Sequence, residues 1–330
     1  MTDVYFNEKY GKLYEKVENG TAEIFRLKTE NGNIVNQFIK RKIPMIVDGK
    51  TYYDIVTPYG YGGPIIIDCV NKDELLLEYE NEFEQYCITN NIISEFVRFH
   101  PIKKNYIDFE KIYHAEFNRY TLATNVGDFE DPIMSEFSKS CRKTIRQVLK
   151  EGINFRMVEN PTWDDMKRFM QIYYLNMERK DADDYYFFDE KYFQDIYKNF
   201  SGQFVIAESI YEDKVIAAGL YFITDGNVHA HLSGTDTEYL RLSPAYILKY
   251  GTVLWAKENN YKFIHYGGGV SSDLEDPLYL FKCKFAKNTK LEFWIGRKVW
   301  NSDIYYKLCE LANVAPDEKY FPAYRKNNTK

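Results

Sequence analysis

One succession of elements is written twice along this chain: strands joined by tight turns, an irregular bend, an amphipathic helix closed by Asn-Asn, then another strand. In the first half, residues 22–28 and 35–43 alternate apolar and polar side chains around Glu30-Asn31-Gly32-Asn33, as a hairpin requires. Residues 42–47 and 51–57 flank a second turn at Asp48-Gly49-Lys50. The segment Pro58-Tyr59-Gly60-Tyr61-Gly62-Gly63-Pro64 is too rich in glycine and proline to be regular. A helix over 73–89 ends at Asn90-Asn91, and strands are predicted over 92–99 and 113–123. In the second half, helices over 162–177 and 190–200 precede strands over 203–209, 214–224 and 228–234. Ser243 then caps a helix with Pro244 in its first position, ending at Asn259-Asn260. A strand over 262–266 stops at Gly267-Gly268-Gly269, and a short helix over 277–285 and a strand over 290–297 follow. Residue identity between the halves is slight, so the repeat is one of structure.

Strands of period two interspersed with amphipathic helices define an α/β (α+β) chain. Its 330 residues are enough for two domains. Each domain is expected to be a mixed, mostly antiparallel sheet flanked by helices, with limits 1–125 and 153–330 around a linking helix within 126–152. That helix has Asp131 as cap, Pro132 at its first position and Gly152 at its end. Phe137, Cys141, Ile145, Val148 and Leu149 form its apolar stripe. Its other face carries Lys139, Arg142, Lys143, Arg146 and Lys150, a spacing that any solvent-facing helix shows.

Composition narrows the function classes. A net charge of −6 argues against a protein whose main task is gripping duplex nucleic acid, although a local basic patch remains compatible with it. Aromatic residues make up 17% of the chain, with 30 Tyr, a side chain that suits walls of wet pockets as well as cores. Cys69, Cys87, Cys141, Cys283 and Cys309 form no CxxC pair and read as reduced thiols. The polar, mixed-charge N-terminus and the lack of any apolar run of about 18 residues lead us to expect no signal peptide and no membrane span. The expectation is a cytoplasmic monomer that binds no DNA.

The order of strands, bend, helix, strand, helix, strand resembles that of the GNAT acyltransferases. The cosubstrate loop of that superfamily is similar to Arg241-Leu242-Ser243-Pro244-Ala245, except that proline stands at the first glycine. Pro244-Ala245-Tyr246 is closer to the Pro-Tyr pair that opens this helix in the Fem-type aminoacyl/acyltransferases. Further Fem-like pieces follow the family's order. Cys141-Arg142-Lys143-Thr144-Ile145-Arg146 resembles its basic linker helix, and Asn176-Met177-Glu178-Arg179 a segment ending in Arg. Tyr266-Gly267-Gly268 resembles its strand-ending glycines, with His265 where an acidic residue is usual. Leu280-Phe281-Lys282-Cys283-Lys284-Phe285 resembles its late Phe-Lys-x-x-Phe element, and Tyr61-Gly62-Gly63-Pro64 an early one. The long coiled-coil hairpin of some Fem enzymes is missing, since no segment carries sustained heptads.

The resemblance implies transfer of an acyl or aminoacyl group from acyl-CoA or aminoacyl-tRNA to an amine, in a small-molecule or cell-wall precursor. Such transfer needs an oriented donor, a neutral amine and a stabilised oxyanion. The donor is expected at the start of the helix after Arg241, on Ser243, Pro244, Ala245 and Tyr246, where a helix N-terminus favours a pyrophosphate. Lys282 is the catalytic candidate that the resemblance points to, a cation for the oxyanion, and a solvated lysine is the alternative. His265 is a candidate base, titrating near neutrality. Arg179 is a candidate for an acceptor's diphosphate beside the charged Lys180, Asp181, Asp183 and Asp184. Tyr59, Tyr61, Tyr266 and Gly267 are candidate acceptor contacts, with core packing the alternative for the tyrosines. His229 and His231 alternate on one strand, but no Cys or carboxylate near them in sequence completes a metal set, so no metal is expected. Two other readings stay open: a non-catalytic GNAT-like binding protein, and a tRNA-docking protein using the basic helix.

Overall fold

The computed structural model describes residues 3–179 and 187–328, so the charged stretch at Lys180, Asp181, Asp183 and Asp184 lies outside the described residues. In chain order the first elements are α1 Glu8–Leu13, β1 Gly20–Thr29, β2 Gly32–Val47, β3 Lys50–Val56, β4 Ile65–Cys69, α2 Lys72–Thr89, β5 Ile92–Arg98 and α3 Tyr106–Tyr113. Then come β6 Glu116–Asn125, α4 Pro132–Glu136, α5 Lys139–Lys150, β7 Asn154–Val158, α6 Trp163–Arg179, α7 Glu190–Asn199, β8 Phe204–Tyr211, β9 Lys214–Thr224 and β10 Asn227–Thr235. The last are α8 Ala245–Glu258, β11 Phe263–Gly267, α9 Pro277–Cys283, β12 Lys290–Val299 and α10 Ser302–Leu311.

The chain forms two compact units. One comprises Tyr5–Arg119 with Glu292–Lys330, the other Met1–Val4 with Tyr120–Leu291. These differ from the sequence-based limits in two respects: residues 292–330 return to the first unit, and α5 is part of the second. Both units are mixed sheets with helices, the tandem architecture expected from the repeat. In the first, the sheet runs β1-β2-β3-β5-β12, with β4 also on β2, and only the β3–β5 pair is parallel. Phe38, Tyr79, Phe83, Phe99, Tyr113 and Trp300 fill its core.

In the second unit the order is β6-β11-β10-β9-β8-β7, and only β10–β11 is parallel. Helix α8 crosses one face, seated so closely on β7 that a Cβ at Gly251 would lie 2.0 Å from the Phe155 ring. Helix α5 packs beside α8 through Cys141, Ile145 and Val148. The next residue of β7, Arg156, points to the opposite face and shares the buried Glu208 with Arg168 of α6.

The repeat is visible at atomic level in how its two crossover helices stop. Helices α2 and α8 each link the strands of the parallel pair in their own unit. Both end on an asparagine, Asn90 and Asn259, at φ −95° and ψ 10°. Each asparagine amide donates to a carbonyl one turn back, Tyr86 O and Trp255 O, at 2.9 Å. The second asparagine, Asn91 or Asn260, takes a positive φ of 54° or 58°. Asparagine tolerates that conformation and can satisfy an open helix carbonyl, which is why the pair serves as a stop twice.

Four sequence expectations are corrected. The helix expected over 131–151 is two helices, because Phe137 and Ser138 are extended and Ser138 caps a new start by accepting from Cys141 N. Asp131 does cap the first, accepting from Met134 N. Leu149 is 40% exposed and leaves the apolar stripe, since it sits one position past the buried Val148. The strand expected from 113 begins at Glu116, because α3 occupies residues through Tyr113 and stops at a left-handed His114. Ser243 does not cap α8: it holds a left-handed φ of 53°, not the extended conformation a cap needs, and makes no capping bond.

Candidate functional site

The second unit opens where its parallel strands part. β10 and β11 pair only through Asn227–Phe263, Val228–Ile264 and His229–His265. Beyond that point β10 stays with β9 to Thr235, while β11 stays with β6 and shifts register before Gly267. Their pairing with each other therefore ends at His229–His265, and beyond it each strand keeps only its outer neighbour. The first unit has the same parallel pair and no such opening. There Val56–Phe96 is followed by Thr57 N bonded to Phe96 O, Gly62 N bonded to Arg98 O and a bridge from Gly62 to Phe99. The Gly-rich bend thus carries the pairing onward and closes the equivalent position.

Around the opening of the second unit, α9 and α8 supply two amines. Asp276 starts α9: its carboxylate accepts from Leu278 N and Tyr279 N at 2.9 Å, and from Val270 N and Ser271 N at 3.0 Å. Those backbone bonds, to Ser271 and Tyr279 foremost, pull its pKa down to about 2. The same carboxylate therefore fixes both the loop leaving β11 and the helix that presents Lys282. Lys282 Nζ donates to Gly268 O at 2.6 Å, at the end of β11. Lys284, two residues on, reaches instead the Tyr246 hydroxyl at 3.0 Å.

Lys249 of α8 is the second amine. Its Nζ stands 4.3 Å from the Tyr266 ring centroid on β11 and 5.6 Å from that of Tyr221 on β9. Among the described residues it has no carboxylate partner and no hydrogen-bond acceptor. Desolvation first, and the neighbouring Lys282 second, lower its pKa from 10.5 to about 7. The Tyr221 hydroxyl beneath it is buried without a hydrogen bond of ordinary geometry, and burial pushes it up to about 12, so it stays protonated. The Tyr266 hydroxyl meets Thr124 Oγ1 at 2.7 Å and is also pushed up by burial.

The sequence-predicted residues divide accordingly. Tyr266 and Gly267 end β11, where Lys282 bonds the following Gly268 O, and Tyr246 is linked to the same helix through Lys284 and through edge contact with Phe281. Arg241 is exposed in a 3₁₀ turn at Thr237–Leu242, and Pro244 O is engaged by the buried Ser209 hydroxyl at 2.9 Å. Ala245 is half-buried at the first position of α8. Arg179 lies exposed at the end of α6, bonded to Asn176 Oδ1 at 2.9 Å. His265 is buried and shares a hydrogen bond with Thr121 Oγ1 at 2.9 Å. Tyr59 and Tyr61 belong to the first unit: Tyr59 O accepts from Tyr10, and the Tyr61 ring packs on Tyr5 and Phe293.

His229 and His231 take different partners because a bulge interrupts β10 between Ala230 and Leu232. His231 meets the Tyr192 hydroxyl at 2.6 Å and is pushed down to about 3 by burial and by His229. His229 meets Asp3 at 2.8 Å, a buried carboxylate that sequence proximity could not supply. Sequence reasoning missed Lys249, Tyr221 and Asp276. The available signal for Lys249 was a lone cation within the apolar start of α8, between Leu248 and Tyr250.

A family model described as an acetyltransferase (GNAT) domain matches residues 135–273, which run from α5 through β11 into the loop that follows it. Among solved structures, one titled as FemX superposes with a TM-score of 0.68 at 12% identity, covering 92% of this chain and 94% of that one. The C-terminal domain of a putative lysylphosphatidylglycerol synthetase from Agrobacterium fabrum gives 0.57 at 12% identity, covering 91% and 90%. The L-PGS structure from Bacillus licheniformis gives 0.56 at 12%, covering 89% and 92%. No curated protein sequence matches significantly. At these identities the likeness is one of fold, and the fold is that of the Fem-like acyl/aminoacyl transferases with a GNAT acetyltransferase domain.

Proposed function

We propose that the second unit is an N-acyltransferase that moves an acyl or aminoacyl group to an amine. The observation that carries this reading is the parting of β10 and β11, with the Lys282 ammonium at the end of β11. A carbonyl inserted between diverging strands meets backbone donors that no neighbouring strand uses, and a nearby cation favours the oxyanion. The closed pairing at the equivalent place in the first unit supports a structural role for that unit.

The donor is acyl-CoA or an aminoacyl ester such as aminoacyl-tRNA. Arg241 and the start of α8 at Ser243, Pro244, Ala245 and Tyr246 are its proposed contacts. The amides of Tyr246, Ile247 and Leu248 are already bonded to Ser243 O and Pro244 O, so Arg241 is left as the main phosphate contact. The name of one similar structure, the C-terminal domain of a putative lysylphosphatidylglycerol synthetase, supports an aminoacyl group as cargo. The exposed Lys139, Lys143 and Arg146 of α5 offer a face for a tRNA donor. The acceptor is an amine on a small molecule or cell-wall precursor, with Arg179 a proposed phosphate contact, and the setting is cytoplasmic. No described helix is long and apolar enough to cross a membrane.

The test is a thermal-shift panel of CoA thioesters, aminoacyl-adenosine esters and UDP-linked sugars, followed by turnover with whichever pair stabilises the chain. Lys282→Ala should lower turnover about 100-fold while preserving donor binding. Full turnover in that variant removes Lys282 from the chemistry, and the lack of any transfer by the wild type supports a binding protein instead.

A further inference from the structure

The Lys282 cation suits an oxyanion and leaves a second requirement unmet. An acceptor amine arrives protonated at neutral pH, and only its free base attacks a carbonyl. His265, the base suggested by sequence, is buried and already engaged with Thr121. Lys249 has the opposite surroundings: among the described residues it has no hydrogen-bond acceptor, and it rests on the Tyr266 ring at the end of β11 and on the Tyr221 ring of β9. We propose that Lys249 is the general base of the second unit, the group that takes the proton from the acceptor ammonium. This rests on the acyl-transfer reading above.

The groups facing Lys249 support it. From α9 comes the Lys282 ammonium, from β9 the Tyr221 hydroxyl and from β11 the Tyr266 hydroxyl, both tyrosines kept neutral by burial. Cys141 of α5, in the core that α5 shares with α8, is a thiol that burial pushes up to about 12 and so leaves neutral. Glu208 of β8 is committed on the opposite sheet face to Arg156 and Arg168. The charge that acts on Lys249 from its neighbours is therefore positive, and desolvation acts in the same direction. Both favour a neutral amine near pH 7, where a base is most effective.

The step balances. The lone pair of Lys249 Nζ takes one proton from the acceptor ammonium, and the freed amine lone pair forms the C–N bond to the donor carbonyl. The carbonyl π pair moves to oxygen, opposite Lys282. When it returns, the C–S or C–O bond breaks and the leaving sulfur or oxygen takes the second proton released by the attacking nitrogen. Lys249 then returns its proton to solvent.

Two measurements on the full-length chain test this. Competitive labelling with acetic anhydride across pH 5–11, read by mass spectrometry, should give Lys249 a midpoint near 7. Exposed lysines should show the ordinary midpoint of about 10.4. Lys282→Met should move the Lys249 midpoint upward by removing a neighbouring positive charge. A midpoint shared with the exposed lysines, or no labelling at any pH, overturns the proposal. In turnover with the pair found by the panel, the rate should rise tenfold per pH unit up to about 7 and then level. Lys249→Met should lose about 100-fold and the rising limb, with acetyl-CoA still raising the melting temperature if acyl-CoA is the donor. If Lys249→Met keeps the rate and the limb, the base role falls while acyl transfer stands. If the wild type transfers nothing to any acceptor, acyl transfer falls and the base role with it, and the labelling midpoint then reports only a neutral amine.

Discussion

Replacing Lys249 by Met should stabilise the folded chain, and more at pH 6 than at pH 10. The lysine head sits over two aromatic rings, with no acceptor among the described residues, and its pKa falls from 10.5 to about 7. Between those values the unfolded chain holds a proton that the folded chain has released, so native stability rises with pH across this window. Below about 7 both states are protonated and the folded state bears the full cost of the desolvated charge. Lowering a lysine from 10.5 to about 7 corresponds to at most about 5 kcal/mol. Methionine keeps the unbranched stem and removes the charge, so its packing contribution is the same at every pH. Urea unfolding of wild type and variant at pH 6, 8 and 10 should show the variant's advantage shrinking by up to about 4 kcal/mol toward its pH-independent remainder. An advantage that does not change between pH 6 and pH 10 would refute the reasoning, because it would mean that the folded state holds this amine no differently from the unfolded one.

Three further perturbations probe the framework of the two units. Gly251→Ala places a methyl within 2.0 Å of the Phe155 ring and should cost about 1–3 kcal/mol, most of which Gly251→Ala with Phe155→Leu should recover in chemical denaturation. Asp276→Ala removes the acceptor shared by Val270 N, Ser271 N, Leu278 N and Tyr279 N, so amide exchange should accelerate over residues 270–279. The wild type should lose that same protection only as pH falls below about 4 toward 2, since the depressed carboxylate pKa makes the contribution present above 3.8 and lost beneath it. In the first unit, Glu95 is held by Asn36 and Trp300 and raised by burial from 4.5 to about 7. Its folded carboxyl keeps a proton that the unfolded chain has released, so stability falls between pH 4.5 and 7. Glu95→Gln should abolish that slope in pH-dependent melting.

Much of the fold was legible because its signals are local. The turn at Asp48-Gly49-Lys50 appears between β2 and β3, and Asn90-Asn91 and Asn259-Asn260 stop their helices, since each needs only a few neighbouring residues to act. The misreadings mark where a short-range rule had a close competitor. Ser138 could cap a helix or continue one, and its hydroxyl caps. Ser243 could cap α8, and its left-handed backbone prevents it. The site was legible in part. The motif around Lys282 pointed to the end of β11, where Lys282 bonds Gly268 O, but no motif marked Lys249 or Asp276.

The sequence by itself determined which segments are strands and helices, where they stop, and that the pattern occurs twice, because periodicity and turn chemistry act within one or two turns of chain. Only the tertiary structure decided that residues 292–330 rejoin the first unit, that β10 and β11 part while β3 and β5 stay paired, and that Lys249 rests on two aromatic rings while His265 is engaged by Thr121. Desolvation and strand pairing are properties of neighbours distant in sequence. The same lysine on a solvent-facing turn of the same helix would be an ordinary cation.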